Sequence, residues 1–299
     1  MKAVRLHAQW SPKPDFKIGP KDVEGKITWL GSKVWRYPEV KVEEVPQPVI
    51  QKPTEVLIKV RACGICGSDV HMAQADENGY IFYPGLTGFP AALGHEFSGE
   101  VVEAGPEAIN RRNNQPFEVG EPVTSEEMLW CGYCRHCADG FPNHCENLHE
   151  LGFDVDGAFA EYIVADAKYL WSLKELEKDY PGEKLFLAGS LAEPTSVAYN
   201  AVIERGGGIR PGDNVVIFGG GPIGLAACAI LKKAGGARVI LSEPSEVRRN
   251  MAKELGVDIN INPQKENVTE AILDYTGGMG AKLYLEATGV PQIIWKDLE

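Results

Sequence analysis

Residues 214–236, NVVIFGGGPIGLAACAILKKAGG, decide the fold. A β-branched apolar run, 214–218, meets a cluster of glycines and gives way to a small-residue apolar stretch that stops at Lys232 and Lys233. The pattern predicts strand, tight turn and helix, with glycines at 219, 221 and 224 in the spacing of a dinucleotide-binding turn. In such a turn the first glycine makes the bend, the second lets the backbone approach a pyrophosphate, and the third packs helix on strand. Gly219, Gly221, Pro222, Ile223 and Gly224 are therefore candidate coenzyme-binding residues. Glu243 ends the following strand, where a carboxylate can accept the adenosine ribose hydroxyls and repel a 2′-phosphate, which favours NAD over NADP. Arg248 and Arg249 follow it. They read either as a coenzyme contact, Arg248 being the candidate, of the kind that can serve NADP, or as a solvated helix face.

Outward from this stretch the texture is consistent. ARVILSEPSEVRRNMAKELG repeats strand then helix, and DININ, ENVTEAILDYTG and AKLYLEATG supply a third strand, a third helix and a fourth strand. Alternation of this length predicts a doubly wound parallel sheet. The first half differs: EVLIKVRACG, FSGEVVEAGP, GEPVTS and AFAEYIVA are short β runs broken by Gly and Pro, which predicts an all-β, barrel-like domain with long loops. We place the two domains at 1–200 and 201–299. Residues 11–38, with four prolines and three tryptophans in or beside them, and the polar 106–118 read as surface elaborations.

With 299 residues, 44% hydrophobic and 24% charged, the chain can bury two cores. Its net charge of −12, from 42 acidic against 30 basic residues, argues against nucleic acid and anionic membrane as partners. The start MKAVRLHAQW has no signal-peptide core. The most apolar run, PIGLAACAIL, falls well short of the ~20 residues of a membrane span. A cytoplasmic location is expected, and there close cysteines more often bind metal or catalyse than form disulfides.

Four cysteines, Cys131, Cys134, Cys137 and Cys145, share one short loop. Four thiolates so spaced can close a tetrahedral zinc cage, and a closed cage has no open position for substrate, so its role is structural. An iron–sulfur cluster is the alternative, but the third spacing and the proline of ferredoxin-type runs are absent. A second, scattered set holds Cys66, Ser68, Asp69 and His71 in CGICGSDVH, His95 and Glu96 in GHEFSGE, and Glu193 in LAEPTSVAYNAV. One thiolate, one imidazole and one carboxylate suit a catalytic zinc with one position left open. Taken singly, each is as well explained as a buried small side chain or a helix start.

In combination, Cys-Gly-x-Cys-Gly-Ser-Asp-x-His, Gly-His-Glu, the four-cysteine loop, Glu-Pro and the glycine turn resemble the zinc-dependent medium-chain alcohol and polyol dehydrogenases, over residues 60–290. The resemblance implies a GroES-like β-barrel catalytic domain followed by a Rossmann doubly wound parallel sheet of which strands 1–4 are present. It implies two zinc ions and NAD. Cys66 and His95 would be catalytic zinc ligands, with Glu193, or Glu96 in exchange with it, as the third. Ser68 and His71 would relay the proton, Asp69 would orient a ligand, and Cys63 would not coordinate.

Family members normally continue with two further strands and pair as homo-oligomers through the sixth, so the resemblance also implies a truncated, poorly active chain. The long start before VEEVP resembles the branch acting on scyllo-inosose, a small polyol. Threonine or sorbitol dehydrogenase is the alternative. The remaining alternatives are a zinc-bearing interaction module and a dinucleotide-binding protein without catalysis.

Overall fold

The computed structural model describes residues 1–19, 26–290 and 292–293, and part of the 11–38 stretch therefore lies outside the described residues. The chain forms two compact units, Met1–Glu193 and Pro194–Glu299.

The first unit is built on antiparallel strands. Strands β1 (Lys2–Trp10), β2 (Trp35–Glu44) and β4 (Ala91–Ala92) form one sheet in the order β2-β1-β4. Strands β3 (Glu55–Gly64), β5 (Glu96–Ala104), β8 (Pro122–Ser125), β11 (Tyr162–Asp166) and β12 (Leu170–Ser172) form the other, ordered β11-β3-β5-β8-β12. The segment before β11 joins them: Glu161 N–H donates to Lys2 O and Val60 N–H donates to Glu161 O. This continuity gives the wall its barrel character. Val56, Ile58, Phe97, Val101, Val123 and Ile163 fill the inside.

Strands β6 (Ile109–Asn110) and β7 (Gln115–Pro116) make a small hairpin of the polar 106–118 stretch. It is pinned to the barrel core through buried Ala108 and Phe117, which a reading of its polarity did not reveal. The 11–38 stretch is likewise anchored. Thr28 and Thr87 exchange backbone hydrogen bonds, Gly31 N–H donates to Gly85 O, and Ile81 N–H donates to Trp35 O. Trp35 is fully buried, 5.0 Å edge-on from Trp10 and 5.1 Å from Phe89.

In the second unit β13 (Asn214–Phe218), β14 (Arg238–Ser242), β15 (Ile259–Ile261) and β16 (Leu283–Glu286) are all parallel, in the order β15-β14-β13-β16. Val215 and Ile217 of β13 pack on one face with Ala227, Cys228 and Ala252, and Val216 and Phe218 on the other with Val268 and Ile272. A sheet buried on both faces needs continuous apolar strands, which is why NVVIF reads without alternation. The chain order reverses between β13 and β16, the switch point at which open sheets of this kind bind ligands.

Helix α1 (Gly67–Ala73) follows β3, and the two-residue strands β9 (Met128–Leu129) and β10 (His149–Glu150) flank the short cysteine-loop helix α2 (Arg135–Ala138). Helices α3 (Glu183–Ser190) and α4 (Ala192–Tyr199) precede the parallel sheet, which carries α5 (Pro222–Ile230), α6 (Glu246–Glu254) and α7 (Val268–Thr276). Among the described residues no helix is long and apolar enough to cross a membrane.

Candidate active site

All seven cysteines are free thiols. Cys131, Cys134, Cys137 and Cys145 converge, each offering a sulfur within 4.8 Å of the other three. The Cys131–Cys137 and Cys134–Cys145 sulfurs lie 4.0 Å apart, against the ~3.8 Å edge of a tetrahedron with zinc–sulfur bonds near 2.3 Å. Backbone N–H groups are aimed at the sulfurs: Cys131 N donates to Cys145 Sγ at 3.3 Å, Cys134 N to Cys131 Sγ at 3.3 Å, and Asn147 N to Cys145 Sγ at 3.4 Å. Burial works to raise the Cys131 thiol, but the Tyr133 and Cys134 N–H groups, then the Asn147 and Cys145 side chains, outweigh it and bring the thiol down to about 6. Burial, then the neighbouring cysteine side chains, push Cys137 the other way, up to about 12. The four-sulfur donor set fits zinc. Tyr169 Oη and Lys168 Nζ both donate to Trp130 O and hold the loop's entry in place.

The second set assembles around β3, α1 and β5. Cys66 caps α1, whose Asp69 side chain folds back so that Oδ2 accepts Cys66 N–H at 2.9 Å while Oδ1 accepts Gly94 N–H at 3.2 Å. One carboxylate, 3% exposed, thus ties the loop bearing Cys66 to the residue before His95. Cys66, His95 and Glu96 present ligand atoms within 4.8 Å of one another. Gly64 leaves room for the Glu96 carboxylate, which a Cβ there would displace. His95 is 4% exposed and its Nδ1 has no hydrogen-bond partner. Burial holds its imidazole down at about 4, in the neutral form that ligates metal. The donor set of this cluster, too, fits a zinc with a free position.

Glu193, at the start of α4, is not part of that convergent trio. It lies within electrostatic reach of Glu96, and burial followed by the Glu96 charge pushes its carboxyl up to about 7. Cys63 stays apart, packed against the barrel core with its thiol toward Gly64 O. Ser68 Oγ is buried without a hydrogen-bond partner and His71, one turn on, is exposed, with no hydrogen bond joining the two among the described residues.

Sequence reasoning passed over Tyr83, Glu127 and Glu150. The Tyr83 ring lies 5.1 Å from Phe153, whose own ring is 4.9 Å from His95. Burial, then the charges of Glu150, Glu193 and Asp154, push Glu127 up to about 9. Burial, then Asp154, pushes Glu150 up to about 7. Nothing in SEEML or NLHEL announces this, because only the two-residue β9–β10 pairing brings the segments together.

In the second unit the three glycines differ in what surrounds them. Gly219 has φ +96° and a Cβ there would press on Ala287 O, while a Cβ on Gly224 would overlap Gly219 O. A Cβ on Gly221 would meet nothing within 4 Å, so this turn is open where a ligand would approach. Gly221 caps α5 and Pro222 and Ile223 are its first residues, so their region carries the positive end of the helix dipole. Glu243, 3% exposed, accepts Gly220 N–H at 2.6 Å and Ser245 N–H at 2.7 Å, with Arg248 Nη1 3.8 Å away. Arg249 instead donates to Glu243 O and Pro244 O.

Residues 52–175 match the alcohol dehydrogenase GroES-like domain and residues 222–299 the zinc-binding dehydrogenase domain. Over all 299 residues the chain is 78% identical to scyllo-inosose 3-dehydrogenase of Thermotoga maritima, covering 76% of that protein. It is 38% identical to L-threonine 3-dehydrogenase of Pyrococcus furiosus over 86% of this chain and 67% of that one. A solved alcohol dehydrogenase-type structure from Thermotoga maritima, 77% identical, superposes with a TM-score of 0.94 over 99% of this chain and 75% of its own. The chain belongs to the zinc-binding alcohol dehydrogenases, oxidoreductases that join a GroES-like β-barrel to a nucleotide-binding parallel sheet.

Proposed function

We propose that this chain oxidises a secondary hydroxyl of a small polyol of the inosose class, passing hydride to NAD, with one catalytic and one structural zinc. The convergence of Cys66, His95 and Glu96 on one point carries the reading. The substrate class is supported by the 78% identity to scyllo-inosose 3-dehydrogenase.

Bound by Cys66, His95 and Glu96 or Glu193, zinc would supply a Lewis acid that lowers the pKa of a substrate hydroxyl. The protein's own groups do the rest. Neutral His95 and the Asp69 tether hold the ligands in register, which a loosely held donor set would not achieve. Ser68 and His71 take the hydroxyl proton outward to solvent, His71 being the exposed end. Gly219, Gly221 and Gly224, with Pro222 and Ile223, cradle the coenzyme pyrophosphate. Glu243 favours NAD by disfavouring a 2′-phosphate, and Arg248 lies beside it at the adenosine end.

The test is NADH formation by the zinc-loaded chain with scyllo-inosose, sorbitol and L-threonine in parallel, each repeated with NADP. Turnover is expected with scyllo-inosose and NAD, with two zinc ions per chain falling to one in Cys66→Ala. Preference for L-threonine, or one zinc per chain that Cys66→Ala leaves in place, would refute the reading.

A further inference from the structure

Tyr83, Glu127 and Glu150 have no part in the chemistry proposed above, yet they border it. Phe153 stands between the rings of Tyr83 and His95, at 5.1 and 4.9 Å. The Tyr83 hydroxyl is within electrostatic reach of Glu150, Glu127 and Cys66, and Glu127 within reach of Glu193. The three side chains therefore share one locale with the candidate metal ligands.

Their backbones are fixed. Leu151 N–H donates to Glu127 O, Glu150 pairs with Met128 across β9–β10, and Glu150 N–H donates to Asp154 Oδ1 at 2.7 Å. The Tyr83 loop is held by the 26–36 stretch, where a Cβ on Gly31 would crowd Thr87 Oγ1 and Tyr83 O.

Neighbouring carboxylates are occupied in structural work: Asp69 on Cys66 and Gly94, Asp154 on Glu150 N–H and His149. Among the described residues, by contrast, no hydrogen bond or ion pair ends on the side chains of Tyr83, Glu127 or Glu150. Their polar ends reach solvent and so stand open to the hydroxyls of a ligand. The adjoining His95, 4% exposed, has its unpartnered Nδ1 in the same region.

We infer that Tyr83, Glu127 and Glu150 are specificity-determining residues of this site, accepting and donating hydrogen bonds to the hydroxyls of an uncharged polyol ring remote from the reacting carbon. The inference rests on the function proposed above and names what in the chain selects that substrate class. Two carboxyls and a phenol match a ring that presents a hydroxyl on every side, with buried Phe153 backing the Tyr83 ring. An amino-acid substrate would bring its own carboxylate to a place where burial and acidic neighbours already disfavour negative charge, as the raised Glu127 and Glu150 carboxyls show, so the wall works against L-threonine.

The experiment compares wild type with Glu127→Gln, Glu150→Gln and Tyr83→Phe, measuring kcat and KM for scyllo-inosose and L-threonine. It adds calorimetric binding of myo-inositol, zinc content and melting temperature. Each glutamine variant should raise the KM for scyllo-inosose and weaken myo-inositol about three- to tenfold, as loss of one hydrogen bond would when an amide N–H replaces a carboxyl oxygen. Zinc content and NAD affinity should hold, and the ratio of polyol to threonine efficiency should fall. Tyr83→Phe, which keeps the ring packing, should give the same direction if a glutamine variant fails to fold. Unchanged KM and binding in all three, with wild type active on scyllo-inosose, would overturn this inference alone. Wild type inactive on every polyol would overturn it together with the function on which it rests.

Discussion

Asp69 shows how much a single side chain can decide. Its two oxygens each accept one backbone N–H, from Cys66 and Gly94, and so set the spacing between the two segments that carry Cys66 and His95. Burial raises its carboxyl and those two N–H donors pull it back. Asn at this position keeps one acceptor and turns the other into a donor facing an N–H. Asp69→Asn should therefore weaken zinc at the Cys66 cluster by about 10–100-fold, the usual effect of losing a group that orients ligands. Competition with a chromophoric chelator checks this, with the four-cysteine zinc as an internal reference that should not move. Cys66, His95 and Glu193 carry no individual signal in the sequence, since each type is common in cores and at helix starts. Only their order along the chain, set beside a family resemblance, singles them out.

At the scale of elements, the β13–α5 turn separates two roles that one motif combines. Gly224 serves packing: a methyl there meets Gly219 O, a backbone atom that cannot swing away. Gly221 serves approach: a methyl there meets nothing in the protein. Gly224→Ala should cost about 1–3 kcal/mol of stability in the parallel sheet, the range for overpacking a tight contact. Gly221→Ala should leave the melting temperature unchanged and still weaken NAD, by standing in the ligand's path. Paired denaturation and NAD titration of the two variants would show the split, and equal stability loss in both would deny it. This element was legible in the sequence because strand, turn and helix are contiguous. The β9–β10 pairing was not, because two residues per strand leave no periodicity, and with it went Glu127 and Glu150. The 106–118 hairpin was legible as a surface elaboration, most of it being exposed, but its two anchors Ala108 and Phe117 were not.

Across the whole molecule the two units draw on different sources of stability. The parallel sheet is apolar on both faces, whereas the barrel unit carries both of the candidate metal clusters found among the described residues. A closed cysteine cage can contribute ~10–16 kcal/mol to the folding of small zinc peptides, so its loss is felt where it sits. Chelation should lower a calorimetric transition belonging to Met1–Glu193 and leave the Pro194–Glu299 transition in place, while NAD should raise only the latter. A single transition shifted by both agents would show that the units melt as one. Fold class was legible at this scale, since alternating strands and helices differ plainly from short β runs. The anchoring of the 11–38 stretch was not, because its prolines mark loop while its buried Trp35 acts as core. That anchor has an optical consequence. Trp10 and Trp35 lie 5.0 Å apart at 79°, close enough for their indole transitions to couple. The near-ultraviolet circular dichroism of the unlabelled protein thus reports whether this stretch is seated on the Tyr83 loop.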